Sequence, residues 1–438
     1  MSTSTVTFQR AMNVAADYDV VVVGGGSAGW TAAIQAGRLG AKTALIEKNG
    51  ILGGTTVVAS VNFPGLFHAW GRQVIAGIGW EVVEETARRG GAAMPDFSKP
   101  YLEHRHWEHQ VSVNRFIYSA ILDERCAEAG VELRFHEMPA AAELVDGGVL
   151  LAVAGKTGLQ LLRARQVVDA TGDANVAAMM GYALERVEAP QPGTLIYELT
   201  GYRLEDVRPE ALAQRYREAL AAGEVLRTDH AAGEVPFWRE LRSAGGNCMH
   251  IVGIDGADSA SRSEAEVKAR QSLMRIYRFL RSVPGCEALE VRYVAGECGI
   301  RETRRIVGER YVTLRDYVSG HVWSDAVCYS FYPIDVHRHA DNTIDIRPLA
   351  EGVFPTIPFG ALVPKGSDRL LAAGRCISGD QEASSAYRVQ ASCMATGQAA
   401  GAAAALAARQ GMSVRDVDIE ALRDTLERHG AVVPRAGK

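Results

Sequence analysis

At 438 residues, with a net charge of −5 and a pI near 6.2, the chain can form two domains around a large core. Its scattered basic residues exclude the positive stripe of a nucleic-acid binder or of a protein held on an anionic membrane surface. No apolar run reaches bilayer length, and residues 1–17 lack the basic start and apolar stretch of a signal peptide, so a cytoplasmic protein is expected.

Residues 1–17 read as a flexible N-terminus. Tyr18 to Val23 is then a valine-rich run interrupted only by Asp19, the pattern of a strand buried on both faces of a parallel sheet. Gly24, Gly25, Gly26, Ser27, Ala28 and Gly29 follow. Gly24 permits the turn, Gly26 lets backbone approach a pyrophosphate, and Gly29 lets the next helix lie against the strand. That helix, Ala28 to Leu39, aims its N-terminal amides at phosphate. A second strand, Lys42 to Glu47, ends in an acid eighteen positions after Gly29, where a carboxylate can accept ribose hydroxyls, with Lys48 beside it. Strand, glycines, helix and acid together predict a dinucleotide site.

Lys48 to Thr56 (KNGILGGTT) has no cysteine pair, so dithiol chemistry is not expected. Its Gly53, Gly54, Thr55 and Thr56 offer close backbone and two hydroxyls to the far end of a dinucleotide. The aromatic loop Phe63 to Gly79 contains His68, and a helix is expected at Trp80 to Arg89. Residues 92–110 read as irregular linker, with His104, His106 and His109 in solvated loop because they lack metal-ligand spacing. The seven cysteines form no CxxC pair, which argues against a disulfide framework or a zinc or iron–sulfur site, and no metal is expected.

Asn114 to Ala129 reads as an amphipathic helix and Val131 to His136 as a strand. A small meander is expected at about 140–163, with a separate buried strand at Arg165 to Ala170 ending in the glycine turn Ala170, Thr171, Gly172, Asp173. From 182 to 365 extended segments mix with helices near Pro209 to Ala222 and Ser263 to Arg281. Within this stretch lie Arg301, Glu302, Arg304 and Arg305, a charged cluster suited either to a solvated helix face or to binding a carboxylate beside the Tyr329 to His339 strand. Leu370 to Ala373 is a last buried strand, with Gly374, Arg375, Gly379 and Asp380 at its carboxyl end. A long small-residue helix starts near Gln390.

Three glycine sites, each at a strand end, fit one long ligand. GGGSAGWTAA with Glu47, GILGGTT, VVDATGDANVA, IRETRRIVGE, YPIDVH, and LLAAGRCIS followed by RVQASCMATGQAAG resemble the bacterial FAD-dependent oxidoreductase family, distantly related to succinate dehydrogenase and fumarate reductase flavoproteins. The resemblance implies an α/β fold: a Rossmann-like, glutathione-reductase-type FAD-binding domain in two parts (18–181 and 366–438) with an inserted α+β capping domain (182–365). It implies that Gly24, Gly26, Gly29 and Glu47 hold the adenosine diphosphate and the Met138 backbone the adenine. Thr55, Thr56, Gly172, Asp380, Val389 and Gln390 would line the remainder. Where the family commonly has an IPYR-like stretch, Gly360 follows Ile357, Pro358 and Phe359, so no family substrate is transferred.

The resulting expectation is an FAD enzyme transferring hydride to or from a small polar organic substrate. Arg301 or Arg388 would orient that substrate, and His337, Tyr329 or His68 would act as acid or base. Trp30 after the last glycine also resembles flavin-dependent halogenases, making monooxygenation or halogenation with externally supplied reduced flavin the alternative. A non-redox flavin-binding protein is the second alternative. No second GxGxxG is present, so electrons should pass to or from the substrate, an electron acceptor or a flavin reductase.

Overall fold

The computed structural model describes residues 11–98, 105–230, 235–338 and 343–435. Its centre is a sheet whose first strand, β1 (Val14–Val23), carries Val20 to Val22 with no solvent exposure, as a strand covered on both faces must. Helix α1 (Ser27–Arg38) leads to β2 (Thr43–Glu47). Strands β3 (Glu132–Phe135), β4 (Met138–Val145), β5 (Gly148–Gly155), β6 (Gly158–Asp169) and β7 (Leu370–Ala372) complete the sheet. Its order is β3-β2-β1-β6-β5-β4, with β7 also on β6.

Parallel pairing joins β3, β2, β1, β6 and β7, while β6, β5 and β4 run antiparallel. β6 serves both patterns along one edge: residues 158–164 pair with β5 and residues 167–169 with β7. The last strand of the meander and the buried strand expected at 165–170 are therefore one continuous twelve-residue strand. Alternation at its exposed start and continuous burial at its end disguise it as two. Nor are residues 14–17 a flexible terminus, since they extend β1 beside β6; residues 1–10 lie outside the described residues.

Helix α2 (Ser259–Arg281) belongs to a second apolar core, drawn from residues 195–298. This core is shorter than the 182–365 expectation, because Val312 to Val363 pack into the first core instead. Helix α3 (Gln390–Gln410) lies directly on α1. A β-carbon on Gly397 or Gly401 would stand 2.1 Å from the Ala28 or Ala32 carbonyl oxygen, so only glycine allows this approach.

Among the described residues no helix is long and apolar enough to cross a membrane. The seven cysteines are buried free thiols, and burial pushes that of Cys126 up to about 12. A thiol reagent is expected to react substoichiometrically with the native protein and with every cysteine in denaturant; full labelling of the native state would contradict this packing.

Candidate active site

A cleft of about 600 Å³ opens at the carboxyl ends of β1, β2, β6 and β7, with the second core's loops opposite. Its walls bring together most of the residues expected from sequence: Gly24, Gly26, Ser27, Ala28, Glu47 and Lys48 from the first βαβ unit. Gly54, Thr55, Met138, Ala170, Thr171, Gly172, Gly374, Val389 and Gln390 join them from five other segments.

The fit to a dinucleotide rests on what the walls leave open. Gly26 precedes α1, no side chain caps that helix, and a β-carbon on Gly26 would meet nothing within 4 Å. The amides of the first turn are therefore presented to the cleft, the arrangement that holds phosphate. Val389 precedes α3 in the same uncapped way. Glu47 is 6% exposed and accepts the Gly25 amide at 2.6 Å and the Asn49 amide at 2.8 Å, so its carboxylate is fixed at the cleft wall. Burial raises its pKa despite those bonds. Met138 stands half exposed beside it, because Glu137 bonds back to the Glu47 carbonyl.

Several expected contacts act from behind the wall. Gly29 does not line the cleft; a β-carbon there would lie 1.6 Å from the Gly24 oxygen, so this glycine sets the α1 to β1 approach. Thr56 is fully buried and donates to Gln390 Oε1 at 2.5 Å, while Gln390 Nε2 donates to the Val61 carbonyl at 2.6 Å. Gly379 and Asp380 are not on the wall: the Gly379 carbonyl accepts Arg305 Nε at 2.8 Å. Asp380 caps the helix Gln381–Tyr387 through Ala383 N at 2.8 Å and anchors Leu314 N at 2.6 Å. Asp380→Ala should therefore cost ~2–3 kcal/mol of stability while FAD stoichiometry stays unchanged, read by thermal melting and flavin absorbance.

The arginine segment is neither solvated nor helical. Arg304 belongs to a short strand, Arg304–Ile306, and Arg301, Glu302 and Arg305 are buried. Arg304 Nε donates to the Asp173 carbonyl at 3.0 Å, and Thr303 Oγ1 to the Asp173 carboxylate at 3.0 Å. Arg375 donates to the Gly172 carbonyl at 2.8 Å and to Asp173 at 2.7 Å. These bonds stitch the glycine turn after β6 to the segment opposite. Asp169, fully buried, holds that turn from below through Thr171 and the Ala177 amide.

Arg301, His337 and Tyr332, which are buried, and Asp335 and Arg388, which are partly exposed, form one cluster on the cleft wall. His337 Nε2 is 3.4 Å from Asp335 Oδ1, and its Nδ1 is 2.9 Å from Nε2 of His250, a residue not singled out from sequence. Gln191 positions two members at once: its Oε1 accepts the His337 amide at 3.1 Å and Arg388 Nη2 at 3.4 Å. Glu302 in turn accepts the Gln191 backbone amide at 2.6 Å and side-chain amide at 3.2 Å. Burial and the neighbouring Arg301 hold His337 down to about 4, against the pull of Asp335. Burial opposes ionisation of Asp335, but His337, Arg388 and Arg301 outweigh it and hold the carboxyl at about 2. At neutral pH the cluster thus holds a neutral imidazole beside an ionised carboxylate.

Two expected acid–base residues are elsewhere. Tyr329 ends the strand Ala326–Tyr329 and faces a small cavity with Val74, Gln398 and Leu426. Tyr332, three residues later, reaches the cleft, and its hydroxyl accepts Gln110 Nε2 at 3.1 Å. His68 stacks on Phe97 at 3.8 Å and meets the edge of Trp80, in an aromatic box off the cleft wall. Burial, then His109, lowers it to about 4. His106 and His109 are buried, not solvated, in the turn His106–His109, with His106 against Tyr332; His104 lies outside the described residues.

A family model described as FAD dependent oxidoreductase matches residues 19–426. Dihydrolipoyl dehydrogenase of Trypanosoma brucei brucei is 51% identical over 63 residues, 14% of this chain and 13% of that protein. Dihydrolipoyl dehydrogenase 3 of Pseudomonas aeruginosa is 31% identical over 163 residues, 35% of this chain and 30% of that protein. The chain thus spans about a third or less of these curated relatives. A geranylgeranyl bacteriochlorophyll reductase-like structure from Thermoplasma acidophilum aligns over 94% of this chain and 83% of its own, at 14% identity and a TM-score of 0.43.

Proposed function

Since the chain belongs to the FAD dependent oxidoreductase family, we propose that this enzyme transfers hydride between its FAD and a small polar organic substrate bound at the Arg301–Asp335–His337–Arg388 cluster. The observation that supports this most directly is continuity: the cleft walled by the dinucleotide residues is also walled by that cluster. Distant kinship with the succinate dehydrogenase and fumarate reductase flavoproteins is part of the same proposal, on the order of the glycine motifs. The flavin, when bound, supplies the two-electron chemistry.

The chain's own residues handle binding, orientation and the proton. Gly26, Ser27 and Ala28 present amides to the pyrophosphate, and Glu47 its carboxylate to the ribose. Gly54, Thr55, Gly172, Gly374, Val389 and Gln390 line the remaining cofactor wall. Arg301 and Arg388 orient the substrate. His337, neutral at pH 7, takes the proton of a substrate hydroxyl or amine, and Asp335 stabilises the charge that develops on the ring. Every described cysteine is a buried free thiol, so the proposal includes no dithiol step. A separate electron acceptor completes the cycle.

The test is the visible spectrum of the purified holoenzyme under anaerobic conditions, with NADH, NADPH and a panel of amines, hydroxy acids and sugars. Bleaching by an organic substrate but by neither nicotinamide is the expected result. Bleaching only by an external reductase, with product formation that needs oxygen, would replace this reading with monooxygenation or halogenation.

A further inference from the structure

The arginines of the cluster are left with unused hydrogen-bonding capacity toward the cleft. Arg301 is 7% exposed and spends Nη1 on the Pro192 carbonyl and Nη2 on Asn247 Oδ1 at 3.3 Å. Arg388 Nη2 makes only long contacts, to Gln191 Oε1 at 3.4 Å and the Asp335 carbonyl at 3.5 Å, and its buried Nε has no hydrogen-bond partner. All these acceptors are neutral. Neither guanidinium makes an ion pair with a carboxylate among the described residues.

Two carboxylates are near. Glu302 is turned away, its oxygens taken by the amides of Gln191 and Gln381, and it does not line the cleft. Asp335 does line it, and its side chain has one long contact, the 3.4 Å approach of His337. At the cluster the wall therefore carries two guanidiniums, Arg301 and Arg388, and one carboxylate, Asp335. Burial, then Arg388, lowers Arg301 to about 9, the sign of cations held together without full compensation. An anion between them removes that cost, and a carboxylate matches the guanidinium fork. A second carboxylate would meet ionised Asp335, whereas a hydroxyl or ammonium group would donate to it.

Resting on the oxidoreductase reading of this cleft, we infer that the substrate is a monocarboxylate with a hydroxyl or amino group on the adjacent carbon. Arg301 and Arg388 hold its carboxylate, and Asp335 accepts from the neighbouring donor. His337, beside Asp335, is then next to the group that loses its proton.

Four acids without an α-hydrogen test binding apart from turnover: pivalate, 2-hydroxyisobutyrate, 2-aminoisobutyrate and 2,2-dimethylmalonate. Each is titrated into the holoenzyme while the flavin absorbance and melting temperature are followed. The hydroxy or the amino acid is expected to bind ~10-fold or more tightly than pivalate, the size of one charge-assisted hydrogen bond, and dimethylmalonate weakest. Whichever of the two binds tighter identifies the donor. Arg388→Leu should weaken all four by ~10-fold or more with FAD retained, and Arg388→Lys, which keeps the charge but not the fork, by less. Asp335→Asn should erase the preference over pivalate and admit dimethylmalonate. No perturbation by any acid, tightest binding of dimethylmalonate, or wild-type affinities in both Arg388 variants would overturn the inference. Binding of 2-hydroxyisobutyrate without bleaching by any oxidisable hydroxy or amino acid would uphold it and sink the redox reading. Bleaching by a neutral donor, with no acid bound, would do the reverse.

Discussion

Gly26→Val is expected to yield a folded protein that purifies without flavin. A β-carbon at Gly26 meets nothing within 4 Å, and the backbone there is extended with φ of −74°, so a side chain can start here without strain on the polypeptide. What it fills is the approach to the uncapped amides of α1, where the cofactor's phosphates must come close. Gly29→Ala is the matched control. Its β-carbon would lie 1.6 Å from the Gly24 oxygen, so α1 has to move off β1 and the fold itself loses several kcal/mol. The flavin-to-protein absorbance ratio and the melting temperature of the apoprotein separate the two. Gly26→Val should lose the first and keep the second; Gly29→Ala should lose both. Full flavin occupancy in Gly26→Val would show that the cofactor does not lie across this helix end.

The same contrast explains what could be read from the sequence. The first βαβ unit is legible because each glycine there is required by a local event, a turn or a close approach, with Glu47 at the strand end that follows. α3 is legible for a similar reason, since a run of small residues has no use except close packing, although the surface it meets is α1 rather than the sheet alone. The acid–base residues are another matter. His68 lies among Phe67, Ala69 and Trp70 and His337 among Asp335, Val336 and Arg338, and neither setting by itself announces a role. Tertiary packing alone sends one into a box with Phe97 and Trp80 and the other beside Asp335.

Tyr329 and Tyr332 differ by three positions, and the end of a short strand decides which faces the cleft. His250 and Gln191 carry no local signature, because their roles exist only through partners 87 and 146 positions away. The charged run at 301–305 misleads in the opposite direction. The surface face, one of its two readings, rests on charges being usually solvated, yet each arginine of the run has a neutral carbonyl to bond, and Arg305 adds a 3.9 Å approach to Glu185, which lets Arg301 and Arg305 be buried.

His337→Asn is expected to slow anaerobic flavin reduction by ~10²–10⁴-fold, the range for removal of a general base. The FAD spectrum and occupancy should stay as in the wild type, since the imidazole contacts Asp335 and His250 and the backbone amide keeps its bond to Gln191. The pH profile tests the same assignment independently. His337 is held at about 4 against an ordinary 6.5, so its base form persists well below neutrality, and the acid limb of the wild-type reduction rate should fall near pH 4 rather than near 6.5. The stability effect has a definite sign. As pH drops from 6.5 towards 4 the unfolded chain takes up a proton at this histidine and the folded chain does not, so stability is lost across that window. His337→Asn should show a shallower loss there. Asp335, held at about 2 against 3.8, acts in a lower window, stabilising the fold above 3.8 and ceasing to do so as pH falls to 2. Coincidence of the acid limb with pH 6.5, or a His337→Asn enzyme that reduces its flavin at the wild-type rate, would move the base to another group and leave His337 a structural neighbour of Arg301 and Arg388.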